Sequence, residues 1–338
     1  MRACDALPAL SAVGRKLTVA AAQHVKPGGT RMAASGAVLV TGAAGLIGRR
    51  AAERLLASGR PVLATDRIAP PGLPFEVVPA ELTDTARLAA LVARGVAAIL
   101  HCGGISGQML AKDHPAGIFA ANAAGTVTLL ELARIFRVPR FVFCSSVHAY
   151  GDTPAGMDPV TEAAPLLARD AYGASKAAAE AALRAYAAEH GVAACALRLG
   201  WVYGPRRTTP SLTARMVRDA ARGMPETAVD HDGSFPVPLL HVEDAVSALL
   251  AALDAPDIAG LACNIVGGPS LPVTGIAARI TALRPGWRAR FTPGHRLAEY
   301  RQGDFSIAAA RAALGWTPQV TPEAGLAAYL DWLSREPA

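Results

Sequence analysis

Tyr172 and Lys176 stand four residues apart in the run Tyr172-Gly173-Ala174-Ser175-Lys176. On a helix, residues i and i+4 share one face, so a phenol and an ammonium can converge there. A free phenol has a pKa of about 10, which leaves only ~0.1 % phenolate at neutral pH. An ammonium ~4 Å away contributes about 4 kcal/mol at an effective dielectric of ~20, roughly three pKa units. That would make Tyr172 a usable general base. Lysine is scarce here: among 33 basic residues only Lys16, Lys26, Lys112 and Lys176 are lysines. A compact ammonium midway along an alanine-rich segment, in a chain that otherwise uses arginine, suggests a specific need for it. Taken alone, Tyr-x-x-x-Lys also fits an exposed lysine beside a packed tyrosine. Ser145-Ser146, 26 residues before Tyr172 at the end of an apolar run, adds hydroxyls that could join the pair.

A second constellation is suited to a dinucleotide. Thr41-Gly42-Ala43-Ala44-Gly45-Leu46-Ile47-Gly48 is a G-x-x-G-x-x-G run after an apolar strand and before a helical pattern. Gly42, Gly45 and Gly48 permit a tight turn and a close backbone approach to a pyrophosphate. Leu46, Ile47 and Gly48 open a helix whose free N–H groups and positive dipole end face that anion. Asp66 follows 18 residues after Gly48, at the end of the next apolar run. A carboxylate there accepts hydrogen bonds from ribose hydroxyls and repels a 2′-phosphate, so NAD is expected rather than NADP. Arg67, next door, could bind that phosphate or stack on adenine.

The elements that must position these residues alternate. Strand patterns at 37–40, 61–65, 75–78, 97–100, 140–144 and 193–199 are separated by helical patterns at 46–57, 84–94, 116–136 and 171–190. Such alternation predicts an α/β fold, a doubly wound parallel sheet of the Rossmann kind. After Gly204 the regularity weakens, and 205–238 and 270–303 are richer in Pro, Gly and Arg. The expected organisation is an NAD-binding domain with the catalytic residues at 36–204 and a smaller C-terminal substrate lobe at 205–333. Residues 239–266 return to the main body.

Composition narrows the class. Hydrophobic residues are 52 % and charged residues 18 %, which excludes global disorder. Mean hydropathy is +0.28, yet no run of 18 or more apolar residues occurs. Cys4, Cys102, Cys144, Cys195 and Cys263 are widely spaced without a C-x-x-C or Cys/His pattern, so no metal is expected and the thiols read as reduced and cytoplasmic. The net charge is +6, but residues 1–31 carry five basic side chains against Asp5 alone. Residues 1–35 therefore read as a basic, disordered N-terminal extension, with Met32 placed as a natural start would be. The remaining chain has no basic face for nucleic acid.

Read in order, these motifs resemble the extended short-chain dehydrogenase/reductase family, the NAD-dependent epimerases and dehydratases, over about residues 36–333. T-G-A-A-G-L-I-G, Asp66, Glu81-Leu82-Thr83-Asp84, N-A-A-G-T from Asn122, S-S-V-H-A-Y-G, Y-G-A-S-K, L-R-L-G-W-V-Y-G-P, L-H-V-E-D-A and L-G-W-T-P carry the likeness. The resemblance implies that Tyr172 is the acid/base, that Lys176 lowers its pKa and holds the nicotinamide ribose, and that Asn122 belongs to the catalytic polar network. It selects Ser146 over Ser145, because the family's serine or threonine lies four residues before the tyrosine of the Y-G pair, here Tyr150. It adds Leu82, Cys102, Gly103 and Gly104 to the cofactor contacts, and implies a homodimer through the helices at 116–136 and 171–190.

Departures from the family pattern bear on the substrate. Sugar-nucleotide 4,6-dehydratases follow their threonine with Asp-Glu, where this chain has Val147-His148. The pairing of H-x-G-G-I-S (101–106) with S-S-x-H is similar to uronate dehydrogenases and implies that Ser106 and His148 line the substrate site. Trp201 stands where the family often has asparagine. In the resembling epimerases a phosphate-binding arginine lies four residues before the histidine of H-V-x-D; here that place is Val237. Valine cannot pair with a phosphate, so the expectation leans to a free sugar, sugar acid or related polyol. Arg207, with Arg206, Arg215 and Arg301, could still supply a phosphate or carboxylate site. A nucleotide-sugar 4-epimerase is the alternative within the class. A catalytically silent NAD-sensing module and nucleic-acid binding through the basic tail are the alternatives outside it.

Overall fold

The computed structural model describes residues 36–106, 111, 113–294 and 300–335; the expected extension at 1–35 lies outside them. The chain opens with β1 (Ala37–Thr41), α1 (Leu46–Ala57), β2 (Val62–Asp66), β3 (Val77–Pro79), α2 (Thr85–Val92) and β4 (Val96–His101). It continues through α3 (Pro115–Ile135), β5 (Phe141–Ser146), α4 (Ala171–His190), β6 (Ala194–Leu199) and β7 (Trp201–Tyr203). Then come α5 (Leu212–Ala221), β8 (Glu226–Val229), β9 (Pro236–Val237), β10 (Leu239–His241), α6 (Val242–Asp254) and β11 (Ala262–Ile265). The described chain ends with β12 (Leu271–Pro272), α7 (Val273–Leu283), β13 (Arg288–Phe291), α8 (Ala308–Leu314) and α9 (Pro322–Arg335).

Seven strands form one parallel sheet in the order β11–β6–β5–β4–β1–β2–β3. Every residue of β5 and β6 is buried, as expected of strands covered on both faces. One face packs on α1 and α6 through Ala51, Leu55, Val246 and Leu249. The other packs on α2, α3 and α4 through Leu88, Leu129, Leu130 and Leu183. This is the doubly wound Rossmann arrangement. The chain steps outward from β1 to β3, then crosses back to place β4 on the other side of β1. The strand order therefore reverses between β1 and β4, and a crevice opens at their carboxyl ends.

Two features differ from the simple alternating pattern. The helix at 115–135 is not uniform: Ala120–Ala124 widens into a π-helical turn centred on the buried Asn122. By length and hydropathy this helix could cross a membrane, but it packs on the sheet through Leu129 and Leu130. The C-terminal part also holds small pairings with little sequence signal. β7 pairs β10, β8 pairs β13 and β9 pairs β12 around an apolar cluster of α5, α7 and α9.

Candidate active site

The glycine run turns at the carboxyl end of β1. Gly42 has φ +65°, a left-handed conformation that favours glycine, and a Cβ there would lie 2.7 Å from the Gly103 backbone. A Cβ on Gly48 would sit 2.2 Å from the Gly42 carbonyl oxygen, so Gly48 lets α1 close onto the strand. Gly45 differs, since its nearest atom is the Gly42 oxygen at 3.2 Å. It is the N-cap of α1, carries no capping side chain, and no acidic residue stands in the first turn. Leu46, Ile47 and Gly48 thus open the helix at an end without a side-chain cap, in a cradle that a Cβ on Gly45 would fill. Such an end is suited to a phosphate. Asp66 closes the turn: one carboxylate oxygen accepts from Ala44 N (2.9 Å) and the other from Arg67 N (2.7 Å). Each oxygen keeps acceptor capacity for a ribose hydroxyl, while the Arg67 side chain is exposed. These residues fit NAD.

Tyr172 and Lys176 both lie in the first turns of α4. Asp170 caps this helix by accepting from Gly173 N at 2.9 Å, an interaction of about 1 kcal/mol in typical proteins. A buried ion pair fixes the same helix to the sheet, with Arg198 on β6 donating to Glu180 at 2.7 Å. Ser146, at the end of β5, lies close enough to the Tyr172 phenol to oppose the rise in its pKa. Ser146 Oγ accepts from His148 N at 3.2 Å. Ser145 points elsewhere, donating to Glu180 at 2.5 Å. Lys176 is 6 % exposed; its ammonium donates to the Cys144 carbonyl at 2.8 Å and lies 6.0 Å from the centre of the Tyr172 ring. Burial lowers the Lys176 ammonium to about 8. Burial raises the Tyr172 phenol, and Ser146 and Arg207 oppose that rise. Spacing put both groups on one face, but the ammonium is anchored on a backbone carbonyl.

The loop after β4 is the far wall. Leu82 lies over it, since a Cβ on Gly103 would be 3.3 Å from Leu82 Cδ1. A Cβ on Gly104 would be 2.7 Å from Asn122 Oδ1 and 3.8 Å from Lys176 Nζ. Asn122 clamps this loop: Oδ1 accepts from Ile105 N (2.8 Å), and Nδ2 donates to Ile105 O (3.0 Å) and Ser175 Oγ (3.0 Å). It thus acts on backbone and on Ser175, a positioning role. Cys102 lies beside Cys144, their sulfurs 3.4 Å apart.

A hydrogen-bonded chain not anticipated from the sequence supports both walls. Gly103 N donates to Thr41 Oγ1 (3.1 Å), which lies 2.7 Å from His101 Nδ1. His101 Nε2 lies 3.0 Å from Thr126 Oγ1, and Thr126 donates to the Asn122 carbonyl at 2.5 Å. Because Thr126 spends its proton on that carbonyl, the network assigns the hydrogen to Nε2 and makes Nδ1 the acceptor. Burial first, and Lys176 second, lower His101 to about 3, so it is neutral. The H-x-G-G sequence was the visible signal, but its partners on β1 and α3 are remote in sequence.

On the open side, His148 stacks on Trp201 (5.8 Å between ring centres, 25°) and meets Tyr172 (5.8 Å) and Tyr300 (5.7 Å) edge-on. Burial lowers His148, and Asp170 opposes it. Tyr300 belongs to the same wall, with its hydroxyl bonded to the Asp170 carboxylate. Arg207 donates to Thr209 O at 3.1 Å and to Val202 O, and its charge acts on Tyr172. With Arg49, Arg206, Thr208 and Trp332 it lines a cavity of about 340 Å³. Ser106 is exposed on the loop after β4. Val237 is 2 % exposed within an apolar cluster, Arg215 bonds Ala228 O, and Arg301 is exposed.

Similarity to known proteins agrees with this geometry. The chain is 30 % identical over 312 residues to UDP-glucose 4-epimerase of Mycolicibacterium smegmatis, covering 87 % of this chain and 97 % of that one. It is 28 % identical over 331 residues to dTDP-glucose 4,6-dehydratase of Neisseria gonorrhoeae, covering 87 % and 94 %. The structure of MoeE5 in complex with UDP-glucuronic acid and NAD superposes with a TM-score of 0.79 at 27 % identity, over 89 % of this chain and 99 % of that one. Residues 38–265 match the model of the NAD dependent epimerase/dehydratase family. The chain belongs to the NAD-dependent epimerase/dehydratase family, and its cofactor is NAD.

Proposed function

We propose that this enzyme moves hydride at a hydroxyl carbon of a sugar carried on a nucleoside diphosphate, oxidising it and returning the hydride as an epimerase does. The observation that carries the reading is the arginine-lined cavity of Arg49, Arg206, Arg207, Thr208 and Trp332. Arg207 is close enough for its charge to act on Tyr172. Guanidinium groups suit phosphate oxygens, and an indole can stack on a base. Arg49 and Arg206 are both paired with Glu53, at 3.0 and 2.9 Å, and each guanidinium keeps further N–H donors for a phosphate. MoeE5, solved with UDP-glucuronic acid and NAD, and the UDP-glucose 4-epimerase and dTDP-glucose 4,6-dehydratase above support the same class. This departs from the expectation drawn from Val237. The cationic groups come from α1 and the 206–208 loop, a set that spacing around His241 does not reveal.

In this reading Tyr172 holds and moves the hydroxyl proton, Ser146 hydrogen-bonds the reacting oxygen, and Lys176 orients the ribose side of the cleft. NAD supplies the hydride acceptor. Asn122 and the His101 chain position the loop. His148, Trp201, Tyr300 and Ser106 form the sugar wall, within an organisation of an NAD-binding domain at 36–204, a substrate lobe mainly at 205–333, and a return at 239–266. We place the enzyme in the cytoplasm as a homodimer through α3 and α4, supported by the exposed Phe119, Val127 and Ile135 on α3.

A second reading, a free sugar acid with its carboxylate on Arg207, is favoured by the burial of Val237. Calorimetry with UDP and dTDP on NAD-loaded protein separates the two. Micromolar binding at physiological salt supports the nucleotide-sugar reading. Absence of binding, together with NAD reduction by hexuronates, overturns it.

A further inference from the structure

Two thiols meet beneath the cofactor loop; the family likeness counts Cys102 among the cofactor contacts, but no role above uses either sulfur. His101 on β4 is in register with Phe143 on β5, so the next residues, Cys102 and Cys144, are cross-strand neighbours. Adjacent strands lie about 4.8 Å apart, inside the Cα separation of about 4.4–6.8 Å that a disulfide spans. The Cys144 thiol donates to the Cys102 sulfur at 3.4 Å. A bond of about 2.05 Å therefore requires the sulfurs to approach by about 1.4 Å. Cys102 is half-buried and Cys144 is buried. The remaining described cysteines, Cys195 and Cys263, are wholly buried in the core.

We infer that Cys102 and Cys144 form a reversible disulfide that closes the NAD site under oxidising conditions. A hydroperoxide transfers one oxygen to the Cys102 sulfur, giving a sulfenic acid and leaving as an alcohol, or as water from hydrogen peroxide. The Cys144 thiol then attacks that sulfur; the S–S bond forms, the S–O bond breaks, and water departs with the thiol proton. An external dithiol reverses the step. The hydrogen bond from Cys144 and burial hold the Cys102 thiol well above its ordinary value, and the Lys176 ammonium opposes them. The first step is therefore slow at neutral pH. The second is fast, because the partner is already in contact.

The crosslink acts on both walls of the cofactor crevice. Gly103 follows Cys102 directly and is held on Thr41, and Gly42 has no room to spare against Gly103. On the other strand, the Cys144 carbonyl is the acceptor for the Lys176 ammonium. Drawing the two sulfurs together shifts the Gly103–Gly104 backbone away from the Gly42 turn and displaces the anchor of Lys176. The inference does not depend on which sugar is the substrate.

The test treats the full chain with hydrogen peroxide, followed by peptide mass mapping and NAD calorimetry. The expected result is a Cys102–Cys144 crosslink with a mass loss of about 2 Da, while Cys195 and Cys263 stay reduced. NAD affinity should weaken by about tenfold or more in the crosslinked protein and return on adding dithiothreitol. Cys144→Ala cannot crosslink, so its peroxide-treated sample should show no loss of about 2 Da, and oxidation at Cys102 should stop at the sulfenic acid or go on to higher acids. Absence of the crosslink in the wild-type protein would overturn the proposal. So would a crosslinked protein that binds NAD as the reduced one does.

Discussion

Alanine at Gly45 and at Gly48 should separate cofactor binding from folding, because the two glycines serve different contacts. At Gly48 the added Cβ would lie 2.2 Å from Gly42 O, 2.7 Å from Gly42 C and 3.1 Å from Ala43 N. All three are backbone atoms, so the β1–α1 turn must open by about 1 Å, and overpacking of this kind costs about 1–3 kcal/mol. At about 2–4 °C per kcal/mol for a domain of this size class, Gly48→Ala should melt several degrees below wild type and bind NAD poorly. Gly45 has φ −79° and ψ 169°, which alanine adopts freely, and its Cβ would meet one atom at 3.2 Å. As an N-cap change, Gly45→Ala costs at most about 1 kcal/mol. Its methyl group, however, enters the cradle over the start of α1, and NAD affinity should fall by about tenfold or more, 1.4 kcal/mol. Thermal melts without cofactor and calorimetry with NAD read the two effects separately. Gly45→Ala that binds NAD within about twofold of wild type would refute the assignment of this helix end to the pyrophosphate.

Tyr172→Phe should reduce turnover by about 10²–10⁴ with NAD binding retained; activity near wild type would remove the phenol from the mechanism. Burial raises Tyr172, so the phenol is protonated at neutral pH and the oxidation half-reaction should speed up about tenfold per pH unit. That rise should break near pH 8, where Lys176 loses its charge; a flat profile from pH 6 to 9 contradicts the assignment. Asp66→Ala should narrow the preference for NAD over NADP. A wild-type protein with higher kcat/KM for NADP would instead give Arg67 the deciding role. Sedimentation at micromolar concentration should show a homodimer, and a pure monomer would count against pairing through α3 and α4.

Local chemistry made much of this protein legible in advance. The alternation of apolar runs with helical patterns requires a covered parallel sheet, because each strand offers two apolar faces. The glycine run and Asp66 were readable for the same reason: turn geometry and ribose recognition act over a few residues or across one strand. Tyr172 and Lys176 were readable because helical periodicity alone places them on one face. Tertiary structure decided what depends on contacts between distant segments. The chain from Gly103 through Thr41, His101 and Thr126 to Asn122 joins three elements, and no local pattern encodes it. Likewise, Arg49 and Trp332 are 283 positions apart yet line one cavity with Arg207. The direction of the Tyr172 shift also waited on the fold. Spacing brings an ammonium near the phenol, but only packing sets how much water is lost and which acceptor the ammonium takes. Here burial raises the phenol, and the ammonium takes the Cys144 carbonyl as its acceptor.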